Sequence, residues 1–311
     1  MRAIVVKSFG EPEALEVVET AVPEPGTGRL RIKVQAATVN PVDVATRAGA
    51  LAAFLPELPH YPLGWDVAGT VDALGTDVDG FALGDSVIGL SDWFATLAGT
   101  HAEYVVLSAS AVAAAPAGVS PAEAATLPLN GLTALQALDL LGLSEGQSLV
   151  VTGAAGAVGG YALELAARRG LKVYGVAGEQ DHAFVTGTGA GFIARSGAAE
   201  ALAGSVLAVL PEGADGVLDT AVLGGPALAA VRDNGSYVGV FGPAAPQPER
   251  GVRVAAVSVQ SDATQLTRLV ELVENGDLTL RLARTLALAE AAEAHALFAK
   301  GGLRGRLVLL P

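Results

Sequence analysis

Residues Ser148–Gly170, SLVVTGAAGAVGGYALELAARRG, constrain the fold more than any other stretch. Leu149, Val150 and Val151 form a short apolar run suited to a strand buried on both faces, and Tyr161–Arg169 carries apolar residues at helical spacing. Glycines recur between them at Gly153, Gly156 and Gly159. A strand that turns this sharply into a helix is the opening unit of a parallel sheet with helical crossovers. The turn also has a chemical reading. A pyrophosphate binds close to main-chain N–H groups at a helix N-terminus, where side chains would be in the way. Gly153 permits the tight turn, Gly156 lets phosphates approach the backbone, and Gly159 lets the helix lie against the sheet. An ordinary glycine-rich turn shares this spacing, and the strand and helix on either side favour the dinucleotide.

The rest of the chain divides by rhythm. Short β runs at Ala3–Val6, Leu30–Ala37, Val67–Leu74, Ser86–Gly89 and Glu103–Leu107, separated by Gly, Pro and Asp, predict a β-rich, barrel-like unit. From Pro121 the pattern alternates. Helices at Pro121–Leu127, Thr133–Leu140, after Gly156, near Ala199–Val209 and at Pro226–Val231 interleave with strands at Leu149–Thr152, Lys172–Val176, Gly216–Asp219 and Ser236–Gly242. This predicts a Rossmann-type doubly wound parallel sheet over residues 123–261, in an α/β protein whose β-rich part comprises residues 1–122 and 262–311. A helix from Asp262 ends at Asn275-Gly276, Pro243–Pro248 is a loop, and the last run, Leu307–Leu310, is a strand that returns to the first domain.

Composition removes several function classes. There is no cysteine, so disulfides, thiolate nucleophiles, zinc–thiolate sites and Cys-ligated clusters are excluded. His60, His101, His182 and His295 are far apart in sequence and form no metal-ligand spacing. A net charge of −13 opposes sequence-independent nucleic-acid binding, which needs a basic surface. Tyr104–Ala122 is uncharged but is broken by Pro116, Gly118 and Pro121, so no membrane span is expected. Charges interrupt the apolar run near Met1, and the expected location is the cytoplasm.

Motifs along nearly the whole chain resemble the medium-chain dehydrogenase/reductase superfamily, and within it the zinc-free quinone oxidoreductase group. They are TVNPVDVATRAG at Thr38–Gly49, PLGWDVAGTV at Pro62–Val71, GDSVIG at Gly84–Gly89, LPLNGLTA at Leu127–Ala134, the glycine turn, and RGRLVL near the C-terminus. The resemblance implies that the β-rich domain is GroES-like and that the protein is a homodimer. At the positions of the catalytic zinc ligands of related alcohol dehydrogenases it places Asn40, Trp65 and Asn130, none of which suits zinc. A metal-free active site follows.

Without a metal, hydride transfer rests on orientation and on donors aimed at the developing oxyanion. A quinone or another α,β-unsaturated carbonyl suits this, because its acceptor carbon is already electrophilic. The resemblance places Asn40 beside the nicotinamide as a donor to substrate or carboxamide, although a turn asparagine before Pro41 is the plain alternative. Asp43 reads as a helix N-cap or a partner for a basic residue, Tyr61 and His60 as lining the substrate mouth and delivering a proton or as packing or simply exposed, and His101 as barrel surface. Asn130 and Thr133 either approach the nicotinamide and ribose or cap the following helix. The cofactor set expected from the motif and the family comprises Asn40, Thr133, Gly153, Ala155, Gly156, Ala157, Val158, Gly159, Ala177, Gly178, Arg195, Phe241, Gly242 and Arg304.

The place where NAD enzymes often carry an acid for the ribose falls at Ala177-Gly178. This leaves room for a 2′-phosphate, while Glu179 and Asp181 would repel it and Arg195 is some way along. NADPH is the expected cofactor on family grounds, with NADH open. The leading function is NADPH-dependent reduction of a small-molecule quinone or enone, and the alternatives are an enoyl-thioester reductase and a non-catalytic NADPH-binding protein. The loop after Asp43 has no tyrosine before Tyr61, which counts against the enoyl-thioester reading.

Overall fold

A computed structural model of the chain describes residues 1–195 and 197–311. The chain forms two compact units, Met1–Leu129 with Gln260–Pro311, and Asn130–Val259. The sequence expectation put the corresponding boundaries at 122/123 and 261/262.

The first unit opens with strands β1 (Arg2–Val6), β2 (Leu15–Glu19) and β3 (Arg29–Val39) and helix α1 (Pro41–Arg47). Strands β4 (Tyr61–Pro62), β5 (Asp66–Leu74) and β6 (Ser86–Leu90) follow, then α2 (Trp93–Thr96), β7 (Tyr104–Ser108), β8 (Val112–Ala114) and α3 (Pro121–Ala124). In β3 the residues Leu30, Ile32 and Val34 are buried between more exposed neighbours, the period-two pattern of a strand with one face on a core. They pack with Val67, Val71, Val87, Val105, Leu107 and Val112. The β2, β4 and β8 strands were not expected from the sequence, because each is too short or too polar to show alternation.

The chain then runs through helix α4 (Pro128–Leu141), β9 (Ser148–Thr152), α5 (Ala157–Arg168), β10 (Lys172–Ala177), α6 (His182–Gly187), β11 (Gly191–Ala194) and α7 (Leu202–Leu207). It continues with β12 (Ala214–Asp219), α8 (Gly225–Leu228), β13 (Val231–Gly239) and β14 (Arg253–Ala256). From β9 to β14 the strands form one parallel sheet in the order β11-β10-β9-β12-β13-β14. The chain winds outward from β9 in one direction, then returns to wind outward in the other, so the switch point lies between β9 and β12. Every residue of β9 is buried, as its unbroken apolar run predicts. Val150 and Val176 pack with Leu202, Val206 and Leu228 of α7 and α8. The neighbouring Gly175 faces Val185 and Leu163 of α6 and α5, so helices cover both faces of the sheet.

The sequence reading of β13 as Ser236–Gly242 is corrected at both ends. The strand starts earlier, across an irregularity where Asn234 takes a φ of 58°, and it ends at Gly239, before the short 3-10 turn Gly242–Ala244. The edge strands β11 and β14 were also missed.

The chain returns to the first unit with α9 (Ala263–Glu274), which Asp262 caps, and then β15 (Leu282–Ala287), α10 (Ala291–Lys300) and β16 (Arg306–Leu310). Strand β16 pairs antiparallel with β3 and parallel with β15, and joins a seven-stranded sheet of order β15-β16-β3-β5-β6-β8, with β7 on β3; β2-β1-β4 form a separate sheet. Leu307 and Leu309 seal a core with Ile4, Val39, Leu286 and Leu288.

Candidate functional site

The glycine turn sits at the switch point of the parallel sheet. Gly153 leaves β9 with a φ of 59°, which side-chain-bearing residues rarely adopt, and Gly156 donates to its carbonyl at 2.9 Å. Gly156 is exposed and is the N-cap of α5, whose opening receives no side-chain cap and carries no acid in its first turn. The first-turn N–H groups, on Ala157, Val158 and Gly159, are therefore open to an anion. A Cβ on Gly159 would stand 2.3 Å from the Gly153 carbonyl oxygen, so only glycine allows α5 this close to the turn. Ala155 is half-buried and Ala157 buried.

The far end of β10 brings together residues well separated in sequence. The Arg195 N–H donates to the Ala177 carbonyl at 2.7 Å, so Arg195 stands directly beside Ala177 rather than some way along. Its side chain is exposed. Gly178 begins the turn that carries Glu179 and Asp181. Phe241 and Gly242 are exposed just past β13.

A buried carboxylate that the sequence reading missed lies under the glycine turn. Asp219 ends β12 with no exposure, and it accepts hydrogen bonds from the Thr152 hydroxyl at 2.6 Å and the Tyr237 hydroxyl at 2.9 Å. It also accepts the Leu223 and Gly224 N–H groups at 2.8 and 2.9 Å. Burial, and then the Asp219 charge, push the Tyr237 hydroxyl well above the ordinary tyrosine range and keep it a donor.

In the first unit, Asn40 is the N-cap of α1 and is fully buried. Its amide donates to the Thr38 hydroxyl oxygen at 2.8 Å and to the Asp66 carboxylate at 2.6 Å. Thr38 in turn donates to Asp66, and so does the Leu129 N–H. Both amide protons of Asn40 are thus committed inside the protein, and the donation to substrate expected of them is not available in this arrangement. Asp66 is fully buried, and desolvation pushes its carboxyl up to about 6 against the lowering effect of these donors.

Other sequence expectations also change. Asp43 is the third residue of α1 rather than its N-cap, accepting the Asn40 N–H at 2.8 Å and the Gly64 N–H at 2.9 Å. Tyr61 is buried, donates to the Pro56 carbonyl at 2.8 Å and stacks on Phe9, while His60 is exposed. His101 is 1% exposed, so it is core and not barrel surface; its Nε2 lies 2.8 Å from the Thr38 carbonyl. Asn130 and Thr133 lie inside α4, buried, so neither caps it. Arg304 is exposed before β16.

The sequence matches the alcohol dehydrogenase GroES-like domain over residues 26–117 and the zinc-binding dehydrogenase family over residues 188–309. It is 40% identical over 198 residues to the chloroplastic quinone-oxidoreductase homolog of Spinacia oleracea, covering 61% of this chain but only 59% of that protein. It is 33% identical over 290 residues to the 2-methylene-furan-3-one reductase of Solanum lycopersicum, covering 89% of this chain and 70% of that one. The quinone oxidoreductase structure from Coxiella burnetii matches 100% of this chain and 99% of its own, with TM-score 0.86 and 31% identity. The chain belongs to the medium-chain dehydrogenase/reductase superfamily. A mycobacterial structure complexed with NADPH also matches, with TM-score 0.85 and 26% identity over 100% of both chains.

For a member of this superfamily the site residues fit a nicotinamide dinucleotide and do not fit zinc. Asn40 is turned toward a carboxylate, and Trp65 is stacked on Trp93 with Phe94 edge-on. Among the described residues no three His, Cys, Asp or Glu side chains are grouped to hold a metal, and no helix is long and apolar enough to cross a membrane.

Proposed function

We propose that the chain is an NADPH-dependent oxidoreductase that transfers hydride, without a metal, to quinones or related α,β-unsaturated carbonyls. The observation that carries this reading is the glycine turn at the switch point, with its uncapped helix and its close contact at Gly159. Support for the substrate class comes from the quinone and furanone reductases among the relatives.

Bound NADPH would supply the hydride. The first turn of α5 would hold the pyrophosphate, with Ala155 to Gly159 as its cradle and Thr133, Phe241 and Gly242 along the remainder. Arg195, brought beside Ala177 and Gly178, would pair with the 2′-phosphate and offset Glu179 and Asp181. With the Asn40 amide and the Tyr61 hydroxyl held internally, neither protonates the product. A quinone tolerates this, because net transfer of hydride to it leaves a delocalised hydroquinone monoanion that takes its proton from water.

The test is NADPH oxidation followed at 340 nm with 9,10-phenanthrenequinone, a simple enone and an enoyl thioester in parallel. Turnover of quinone or enone is expected. Arg195→Ala should raise KM for NADPH by about tenfold and leave NADH unaffected. Saturable NADPH binding with no turnover on any acceptor would replace this reading with a nucleotide-binding protein.

A further inference from the structure

A cleft of about 330 Å³ opens in the second unit at the amino edge of the parallel sheet, between the α4–β9 connection and the first residues of β12, β13 and β14. It lies at the opposite end of β9 from the glycine turn, away from the edge where a doubly wound sheet binds its dinucleotide. Three side chains set its charge. Among the described residues that line it, Asp215 is the one carboxylate, and Arg232 and Arg253 are the cations. The carboxylate is fully engaged: it accepts the Ser148 N–H and hydroxyl, each at 2.8 Å, the Arg232 Nε at 2.7 Å and the Gln147 amide at 3.2 Å. Arg253 is left without a neutralising partner, yet it is held in place. Its Nη2 donates to the Leu141 carbonyl and, at 3.0 Å, to the Ser236 hydroxyl oxygen. Gly142, at a φ of 60°, lets the guanidinium lie so close that a Cβ there would stand 3.2 Å from Nη2. One nitrogen is thus used for anchoring, and Nη1 and Nε have no partner among the described residues. In Arg232 the Nε goes to Asp215 and Nη1 to the Asp233 carbonyl at 3.0 Å, which leaves Nη2 uncommitted. The rim is fixed as well, because the Asn234 N–H donates to the Arg250 carbonyl at 3.0 Å across it.

A guanidinium pinned at one nitrogen and open along its other edge is a preorganised receptor for an oxyanion. Its two free N–H groups match a carboxylate or phosphate in plane, and little side-chain freedom remains to be lost on binding. We propose that this cleft is a second ligand site, which takes the carboxylate or phosphate group of a small organic anion on Arg253, with Arg232 as the supporting cation. The volume is that of a small-molecule pocket rather than of a bare ion. The chain as a whole carries a net charge of −13, so the attraction is local and short in range. The site stands apart from the nucleotide-binding reading given above.

The experiment is thermal unfolding of the full-length protein while inorganic phosphate, glycerol 3-phosphate and succinate are each raised to about 10 mM at constant ionic strength. At least one of the two organic anions should raise Tm by about 2–4 °C in the wild type and by less than about 1 °C in Arg253→Gln. Arg253→Lys keeps the charge but not the fork, so its shift should fall between those two, and it carries the comparison if Arg253→Gln does not fold. Equal shifts in the wild type and a folded variant, no shift with any of the three anions, or a shift with inorganic phosphate alone would each overturn the proposal. NADPH binding by the wild type is independent of these outcomes, so the nucleotide reading stands or falls separately.

Discussion

Two buried aspartates, one in each unit, take their hydrogen bonds from different sets of donors. Asp219 is met by two hydroxyls and two backbone N–H groups, and all four donors come from elements at the carboxyl edge of one sheet. Asp66 is met by Thr38, Asn40 and the Leu129 N–H, and burial still outweighs them, leaving its carboxyl at about 6. The first works as a fixed bolt under the glycine turn. The second is a joint between β3, α1 and the start of α4 that can gain a proton near neutrality. A desolvated carboxylate costs several kcal/mol unless its lone pairs are filled, so the donor set decides which role each can play.

The largest effect should follow removal of the bolt. Asp219→Ala leaves four donors, three of them buried, without their acceptor and should cost about 3–5 kcal/mol in urea unfolding. A loss below about 1 kcal/mol would show that the network is slack and would break the contrast with Asp66.

Next comes the pH dependence of the joint. In the native state Asp66 titrates above the ordinary aspartate value of 3.8, so the folded protein holds a proton there that the unfolded chain has released. That contribution is fully present below pH 3.8 and is lost as the pH rises through about 6, by about 3 kcal/mol in all. Asp66→Asn cannot titrate. The stability of the wild type relative to this variant should therefore fall by most of that amount between pH 4 and pH 7, and a constant difference would show that Asp66 does not titrate in this range. Asp215, held down to about 2 by Ser148, Arg232 and Gln147 against the cost of burial, works in the opposite direction. Its contribution is present above pH 3.8 and fades as the pH drops through about 2, and it cancels in the comparison with the variant.

The smallest effects come from single donors. Tyr237→Phe and Thr38→Val should each cost about 1 kcal/mol, with Thr38→Val also raising the Asp66 midpoint because a donor to the charged form is gone. Equal midpoints in Thr38→Val and wild type, followed by the carboxyl signal in NMR, would mean that this hydroxyl does not support the charge.

What the sequence revealed divides along the same line. The glycine turn was legible because its requirements are local: Gly153 needs its φ, Gly156 its bare approach and Gly159 its close contact, all within seven residues. The buried β9 was legible from its apolar run. The aspartate networks were not, because their donors are distant in sequence: Thr152 and Tyr237 for Asp219, Thr38 and Leu129 for Asp66. Arg195 was misjudged for a related reason. Eighteen positions separate it from Ala177, but the parallel pairing of β10 with β11 places them side by side. His101 was read as surface from its neighbour Glu103, and a buried contact to the Thr38 carbonyl leaves no local mark.

The proposed function requires bare main chain at the α5 opening to hold a dinucleotide phosphate bridge. Calorimetric titration of NADPH into wild type and Gly156→Val tests it most directly. Gly156 has an ordinary φ of −74°, and a Cβ there would meet only the Gly153 carbonyl oxygen, at 3.1 Å, so the variant should fold. The account predicts saturable binding by the wild type and a loss of at least about tenfold in the folded variant. Equal affinity in the two proteins would contradict it.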